Sequence, residues 1–155
     1  MADASVERKP TLDRRIWKVD ELELKPFTKY GDEVAKLAWN PVTYDRETGH
    51  GCFVIRFLPG GKSRPHQHLG FEEFYVLDGE IVDSDGAVFR AGDFVSFAPG
   101  TEHWSHSPKG AKIIAFMRGH TRTTDSSTGT VGRARRGGPP RAPARPGLPP
   151  IRGRA

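Results

Sequence analysis

The sequence predicts an all-β domain in which short antiparallel strands form a barrel or a sandwich. From about residue 33 to residue 117, stretches rich in β-branched and aromatic residues alternate with turns built from Gly, Pro and Asp. These stretches recur at the roughly 8–12-residue spacing that is typical of all-β folds. No segment has the apolar periodicity of an amphipathic helix, and no internal repeat of fixed period is present. The pattern therefore favours a sandwich or a barrel.

The predicted strands become clearer after residue 50. Arg15–Val19 is predicted as a first strand and Glu33–Trp39 as a second, which leads into the Asn40-Pro41 turn. Tyr44–Gly51 carries charged residues and Gly, which indicates a hairpin loop. The later predicted strands are Cys52–Leu58, Ser63–His68, Phe71–Leu77, Glu80–Val82, Ala87–Arg90, Phe94–Ala98, His103–His106 and Ile113–Met117.

Two Asp-Gly pairs are predicted to close hairpins. Asp78-Gly79 follows the strand Phe71–Leu77, and Asp85-Gly86 follows Glu80–Val82. Glycine accepts a positive φ, which two-residue hairpin turns require. We therefore expect the chain to reverse direction at both pairs.

The positive charge of the chain is concentrated in its C-terminal part. The whole chain has 24 Lys and Arg, 19 Asp and Glu and a formal charge of +5. Residues 119–155 hold eight Arg, seven Gly, six Pro and a single acid, so the remainder has 16 basic and 18 acidic residues and a charge of −2. Such a tail has too little apolar surface to offset the entropy of ordering it. We predict a flexible arm at 1–14, a barrel at 15–118 and a disordered tail at 119–155.

Composition also restricts the partners and the location. The predicted barrel is slightly acidic, so it carries no signal for binding nucleic acid, and only the tail is expected to bind polyanions weakly. The single cysteine, Cys52, permits no intramolecular disulfide, which is consistent with a reducing compartment. The charged beginning lacks the apolar run of a signal peptide, and no later run approaches the length of a membrane span. We expect a cytoplasmic protein without membrane association.

A group of histidines and acids predicts a metal site. His66 and His68 lie two residues apart on a predicted strand, so both imidazoles point to the same side. Glu72 begins the next strand and can fold back over this pair, and His103 follows the Pro99-Gly100 turn. Neutral imidazole suits Zn, Fe, Ni and Cu, and a carboxylate adds neutralising charge. Three nitrogens and one oxygen leave coordination positions open for water, substrate or oxygen, unlike a closed structural zinc site.

The strand pattern leaves one of these ligands undecided. Glu72 and Glu73 are adjacent, so they point to opposite faces of the strand. Each shares its face with apolar or aromatic residues, and periodicity alone does not decide which face is the inner one.

The same region resembles the first motif of the cupin superfamily at every fixed position. The pattern Gly-x5-His-x-His-x3-Glu-x6-Gly is carried by Gly60, His66, His68, Glu72 and Gly79. What this resemblance implies is a jelly-roll β-barrel, also called a double-stranded β-helix, with a metal near its centre.

The stretch from Gly92 to His103 is similar to the second cupin motif, with Gly100 and His103 in register. It departs from that motif in two ways, because Pro99 directly precedes Gly100 and Ser107 stands where an Asn is usual. The short His-x-His-x3-Glu-Glu spacing, the run EEFYVLDGEIVDSDGAVFRAGDFVSFAPGTEH and the small size most resemble the ChrR-like branch of cupins. The resemblance covers residues 54–117.

The resemblance also implies the ligands and the metal. His66, His68, Glu72 and His103 match the ligand positions of the family, and Glu72 is chosen because it lies seven residues before Gly79. One divalent transition metal is expected, Fe(II) or Zn in the first place, with Mn and Ni as alternatives.

Other side chains are predicted to have smaller roles. His106 is expected on the strand face opposite His103, where an outer-sphere or substrate role is possible. Tyr75 and Arg56 are candidates for polar groups that reach the cavity and orient its contents. The remaining candidates are predicted to pack or to lie in loops without a specific role: Trp104, Cys52, His50 and His120.

The resemblance gives two hypotheses for function. The first is a metal-dependent enzyme of dioxygenase type that acts on a small, enolisable carbonyl compound, with isomerase or lyase chemistry as a close variant. The second is a non-catalytic metal-containing sensor or small-molecule-binding module of the ChrR-like type. The sequence lacks the Cys/His cluster of a second, zinc-binding domain. The expected partners are a small molecule and, by resemblance, a second copy of the chain in a homodimer that pairs through residues 1–25.

Overall fold

The computed structural model describes residues 13–124, and nearly all regular structure within them is β-strand, as the sequence predicts. Outside the strands there is one 3-10 turn, Val19–Glu21. No helix among the described residues is long and apolar enough to cross a membrane. The strands are β1 (Lys25–Pro26), β2 (Leu37–Asn40), β3 (His50–Phe57), β4 (Gly61–Lys62), β5 (His66–His68), β6 (Phe71–Asp83), β7 (Val88–Arg90), β8 (Phe94–Phe97), β9 (Glu102–His103), β10 (Ser105–Ser107), β11 (Ala111–Arg118) and β12 (Thr121–Thr123).

The strands form two antiparallel sheets. The large sheet has nine strands in the order β1-β2-β3-β11-β6-β10-β4, with β7 and β8 also paired to β6. The small sheet has the order β12-β5-β9. Side chains from both sheets line one internal cavity, so the small sheet covers the inner face of the curled large one. This arrangement agrees with the predicted cupin-type jelly roll.

An aromatic cluster fills the barrel beside the cavity. Phe27, Trp39 and Phe53 are buried, and the Trp39 ring centroid lies 5.0 Å from that of Phe27 and 5.5 Å from that of Phe53 in edge-on geometry. The ring of Tyr44 packs against two members of this cluster, with its centroid 6.0 Å from that of Trp39 and 5.6 Å from that of Phe53. Edge-on aromatic pairs add to the stability gained from area burial alone. The cluster therefore fixes the loop that contains Phe27 against strands β2 and β3.

The prediction of a hairpin turn at Asp78-Gly79 is wrong. Strand β6 continues through both residues, and the register opposite β11 shifts so that Leu77 has no partner, which is a β-bulge. Gly79 has a φ of 76°, and a Cβ there would lie 2.2 Å from the carbonyl oxygen of Gly110. Gly79 thus supplies a positive φ two residues after the bulge, inside a continuous strand and not in a turn.

The bulge changes which residues of β6 face the interior. Before it the even-numbered residues Glu72, Phe74 and Val76 are buried, and after it the odd-numbered Ile81 and Asp83 are buried. The second Asp-Gly pair, Asp85-Gly86, does close a hairpin, since β7 pairs back onto residues 80–82.

The structure differs from the predicted secondary structure near both ends of the described chain. Arg15–Val19 is not a strand; the backbone oxygen of Val19 and the carboxylate of Asp20 instead accept hydrogen bonds from Lys112 Nζ, at 3.1 and 3.0 Å. Thr121–Thr123 lies within the predicted tail but forms β12, which pairs with the whole of β5. The ordered chain therefore continues past Arg118. The predicted tail from residue 125 onward and most of the predicted N-terminal arm lie outside the described residues.

Candidate metal centre

Three of the predicted ligands come from two neighbouring strands of the small sheet. His66 and His68 lie on β5, and His103 lies on β9 directly opposite His66 in the register. One possible ligand atom from each of the three lies within 4.8 Å of the others. The three side chains are 4%, 1% and 6% exposed, so water has little access to them. The structure thus brings these three histidines into one buried group.

Glu72 reaches this group from the large sheet. Its Oε2 lies 3.2 Å from His68 Nε2 and 3.9 Å from His66 Nε2. Glu73 points to the outer face instead, where its carboxylate accepts a hydrogen bond from Arg118 at 2.6 Å. The choice that strand periodicity left open is therefore decided in favour of Glu72 as the inward residue. The three histidines form the compact group of donor atoms, and the Glu72 carboxylate lies beside two of them, His66 and His68.

Hydrogen bonds at Nδ1 fix the orientation of the His66 and His103 rings. His66 Nδ1 donates to the backbone oxygen of Arg64 at 2.7 Å, and His103 Nδ1 donates to Asp83 Oδ1 at 2.8 Å. Each ring then presents Nε2, without a proton, to the interior. The Nε2 of His103 is buried and has no hydrogen-bond partner among the described residues.

The group fits a divalent transition metal. His66 Nε2 and His68 Nε2 are 3.1 Å apart, and the Glu72 oxygen is 3.2 Å from the latter. Two ligand atoms that are each about 2.0–2.1 Å from one ion lie at about this separation when their bonds are roughly perpendicular. A buried nitrogen with no other partner, as in His103, is the further feature that a metal would explain.

The electrostatic environment favours the ligand forms of these side chains. Burial lowers the pKa of His66 to about 4, despite the opposing effect of the Glu72 carboxylate, so its ring is neutral at pH 7. Burial alone would raise the pKa of Glu72, but the hydrogen bond with His68 and the charge of Lys29 outweigh it and hold the pKa far below its usual range. At pH 7 His66 thus offers a neutral imidazole and Glu72 an ionised carboxylate.

Asp83 is a site residue that sequence reasoning missed. Its Oδ1 accepts hydrogen bonds from His103 Nδ1 and, at 3.1 Å, from Ser105 Oγ. Burial would raise the pKa of Asp83, but the hydrogen bond and charge of His103 outweigh it, and the pKa is lowered. A carboxylate in this position orients a metal-binding imidazole and increases its basicity. No sequence motif pointed to Asp83, because the assumed hairpin left the facing of this residue undetermined.

Replacement of Asp83 by Asn is expected to weaken metal binding about 10–100-fold, because the amide orients His103 less firmly and carries no charge. Metal competition with a chromophoric chelator measures this change. Asp85→Asn is the matched control, since the Asp85 carboxylate only accepts a hydrogen bond from the backbone of Ala87 in a surface turn. Equal affinities for Asp83→Asn and the wild type would contradict the role assigned to Asp83.

A small, mostly apolar cavity adjoins the group. It has a volume of about 40 Å³. His66, Glu72 and His103 form its polar wall, and the rest is mainly aromatic and aliphatic: Phe27, Phe53, Ile55, Phe57, Phe74, Ile81 and Ile113.

Lys29 and Tyr30 also line this cavity, although sequence reasoning gave them no role. They lie in the loop between β1 and β2, where the sequence shows no motif. The Tyr30 ring centroid is 6.0 Å from that of His66. Lys29 Nζ lies 5.4 Å from the ring centroid of Phe53, which is within cation–π range. Only the fold brings this loop over the histidines.

The two residues proposed to orient the cavity contents do not reach it. Tyr75 is 39% exposed on the outer face of β6, and Arg56 is exposed on the outer face of β3. His106 packs beside Trp104, with ring centroids 5.7 Å apart, and does not line the cavity. Cys52 is half-buried near the outer face, and His50 and His120 are exposed. None of these side chains contributes to the site.

Solved structures with the same fold include enzymes and a regulator. An acetylacetone dioxygenase from Acinetobacter johnsonii has a TM-score of 0.64 and 16% identity, covering 77% of this chain and 83% of that one. The polyketide cyclase RemF from Streptomyces resistomycificus has a TM-score of 0.53 and 16% identity over 74% and 87% of the chains. The structure of Rhodobacter sphaeroides SigE in complex with the anti-sigma ChrR has a TM-score of 0.51 and 16% identity, covering 64% of this chain and 50% of that one. At these identities the likeness establishes the fold alone.

No curated protein matches the sequence significantly. A family model does: residues 14–122 match the ChrR cupin-like domain, and this range includes the histidine group, Glu72, Asp83 and the first two residues of β12. The match spans most of the chain and agrees with the resemblance inferred from the first cupin motif. The chain therefore belongs to the ChrR cupin-like domain family.

Proposed function

We propose that the chain is a metal-dependent enzyme of dioxygenase type that acts on a small, enolisable carbonyl compound. The observation that carries the proposal is the position of the three-histidine group, two members of which, His66 and His103, line a mostly apolar cavity. A structural metal site would have all its positions filled by protein ligands and would need no cavity.

In this proposal His66, His68, Glu72 and His103 hold one divalent metal, with Fe(II) or Zn as the first candidates and Mn or Ni as alternatives. The carboxylate supplies one negative charge against the two positive charges of the ion. When bound, such a metal supplies Lewis acidity toward a carbonyl or enolate oxygen and, for iron, reactivity toward oxygen.

The remaining residues would position the substrate and exclude water. The apolar wall of Phe27, Phe53 and Ile113 leaves few polar partners for water beside the reacting group. Asp83 would keep His103 in the tautomer that presents Nε2. The dioxygenase and cyclase structures that share the fold support an enzymatic activity, and their low identity leaves the substrate to experiment.

Oxygen uptake tests this proposal directly. Protein loaded anaerobically with Fe(II) is expected to consume oxygen when an enolisable 1,3-diketone is added, and protein loaded with Zn is expected not to. An oxygen electrode records the uptake, and mass spectrometry identifies the cleaved products. Tight Zn binding, together with no uptake by the iron form for any enolisable carbonyl compound in the screen, would contradict the oxygenase assignment.

The family match favours a second candidate, a non-catalytic metal-containing sensor. Among the solved structures of this fold, one contains the anti-sigma ChrR bound to SigE. A sensor of this kind would bind metal and a small ligand in the same cavity without turnover. The oxygen-uptake experiment separates the two, because a sensor returns its ligand unchanged.

A further inference from the structure

A second, larger pocket lies next to the metal cavity and shares two residues with it. Lys29 and Tyr30 line both spaces. The second pocket, which we call the vestibule, has a volume of about 580 Å³ and is open to solvent. Its wall also includes Arg46, His120 and Arg122. The vestibule is thus adjacent to the metal cavity and is bounded by basic side chains.

No carboxylate lines the vestibule in the part of the chain that the structure describes, and the carboxylate that acts on Lys29 is that of the metal-site residue Glu72. The vestibule wall contains neither Asp nor Glu. The nearby carboxylate of Asp45 accepts hydrogen bonds from the backbone of Glu47 at 2.8 Å and from Thr48 Oγ1 at 2.9 Å. Within residues 13–124, neither Lys29 nor Arg46 forms an ion pair.

The cations are also held in place before any ligand arrives. Arg46 donates to the backbone oxygen and to the hydroxyl of Thr28, both at 3.1 Å, and its guanidinium lies 5.2 Å from the Trp39 ring centroid. Arg122 donates to the side-chain oxygen of Gln67. Each of these bonds uses only part of a guanidinium group that has five N–H donors. Donors that remain free on an ordered guanidinium suit a carboxylate or a phosphate.

Lys29 lies at the junction of the two spaces. Its side chain is half-buried, and the acceptor within reach among the described residues is the sulfur of Met117, at 3.9 Å, a weak partner. Aromatic rings surround the Nζ atom, with the centroids of Tyr30 and Tyr44 at 5.6 Å. Burial lowers the pKa of this amine, while the Glu72 carboxylate acts in the opposite direction.

The size of the metal cavity determines where most of a substrate must lie. Its volume of about 40 Å³ is small, so an organic substrate that reaches the histidines extends beyond it. The vestibule shares Lys29 and Tyr30 with the cavity and is the neighbouring space that can hold the rest of the substrate.

We propose that Lys29 and Arg46, with Arg122 at the rim, bind an anionic group of the substrate, which is therefore a small organic acid whose carbonyl end enters the metal cavity. This inference rests on the proposed function for the role of the carbonyl end. It adds that the substrate carries a carboxylate, or a phosphate of similar size, at the end that remains in the vestibule.

A pair of matched ligands tests the inference by binding rather than by turnover. Acetylacetone and acetopyruvate share a 1,3-dicarbonyl unit, and acetopyruvate has a carboxylate in place of one methyl group. Calorimetric titration of the anaerobic, metal-loaded full-length protein is expected to show about tenfold tighter binding of acetopyruvate. Competition by acetate or by inorganic phosphate then identifies which anion the cations prefer.

Single substitutions locate the effect. Lys29→Met and Arg46→Gln are each expected to reduce the preference for the acid, measured as the ratio of the two affinities, about fivefold or more. Arg46→Gln is also expected to change acetylacetone binding much less, because Arg46 does not line the metal cavity. Arg90→Gln is the control, because Arg90 pairs with Glu80 at 3.1 Å on β7 and does not line the vestibule. Equal binding of the two ligands by the wild type, or an unchanged preference in both variants, would overturn the inference.

The outcomes for the two proposals are separable. If metal-free protein still binds acetopyruvate more tightly than acetylacetone, anion binding in the vestibule is supported even when no oxygen uptake occurs. If oxygen is consumed with acetylacetone but acetopyruvate binds no more tightly, the dioxygenase proposal is supported and anion binding in the vestibule is rejected.

Discussion

Replacement of His66 by alanine is expected to reduce the metal content of the purified protein from about one ion per chain to less than about a tenth of an ion. His66 Nε2 lies 3.1 Å from that of His68, and its Nδ1 is fixed by the backbone of Arg64. Loss of a direct ligand should exceed the roughly 10–100-fold cost of losing an outer partner. Elemental analysis after removal of free metal provides the measurement, with circular dichroism to establish that the variant is folded.

Two controls accompany this experiment. His106→Ala removes an imidazole that does not line the cavity, so its metal content should equal that of the wild type. Comparison of Glu72→Gln with Glu73→Gln tests the fourth ligand, because only the first carboxylate adjoins the histidines. Wild-type metal content in His66→Ala would show that the metal assignment is wrong, and equal metal affinity in the two glutamine variants would exclude Glu72 as a ligand.

Replacement of Trp39 by alanine is expected to lower the free energy of unfolding by about 3–5 kcal/mol. Trp39 is 3% exposed, and its ring contacts those of Phe27, Tyr44 and Phe53. This loss is a large share of the roughly 5–15 kcal/mol that stabilises a domain. Urea unfolding monitored by circular dichroism measures it as a shift in midpoint at constant slope.

Trp17→Ala is the matched control for the core. Trp17 is 40% exposed and belongs to no strand, so its replacement should change stability by no more than about 0.5 kcal/mol. A similar loss in the two variants would mean that the aromatic cluster around Trp39 does not dominate the core. Because Phe27 and Phe53 also line the metal cavity, Trp39→Ala should in addition weaken ligand binding.

The fold and the histidine group could be predicted because both depend on local patterns. Strand residues and turn residues alternate along the chain, and His66 and His68 share a face wherever their strand lies. The choice of Glu72 over Glu73 needed the spacing to Gly79, which the cupin resemblance supplied. The structure agrees with these inferences to the extent that Glu72 faces inward and the three histidines meet.

Other parts of the site could not be predicted, because they depend on contacts between distant segments. Lys29 reaches the cavity from a loop without a motif, and Glu72, whose charge acts on it, is more than 40 residues away in sequence. Asp83 contacts His103 from a strand that sequence reasoning divided at Gly79. Thr121–Thr123 has the composition of a tail and forms a strand only because the edge of β5 is available.

The bulge at Leu77 gives this region a significance for sequence comparison. The bulge shifts the alternation of inward-facing residues by one position. Even-numbered residues such as Glu72 therefore face the metal site before it, and odd-numbered residues such as Asp83 face the metal site after it. A relative of the same length that lacked the bulge would present its counterpart of Val82, not of Asp83, toward His103. A one-residue gap between Val76 and Glu80 in an alignment is therefore compatible with an unchanged polar partner of the metal-site histidine, because loss of the extra residue together with the bulge keeps the counterpart of Asp83 facing inward.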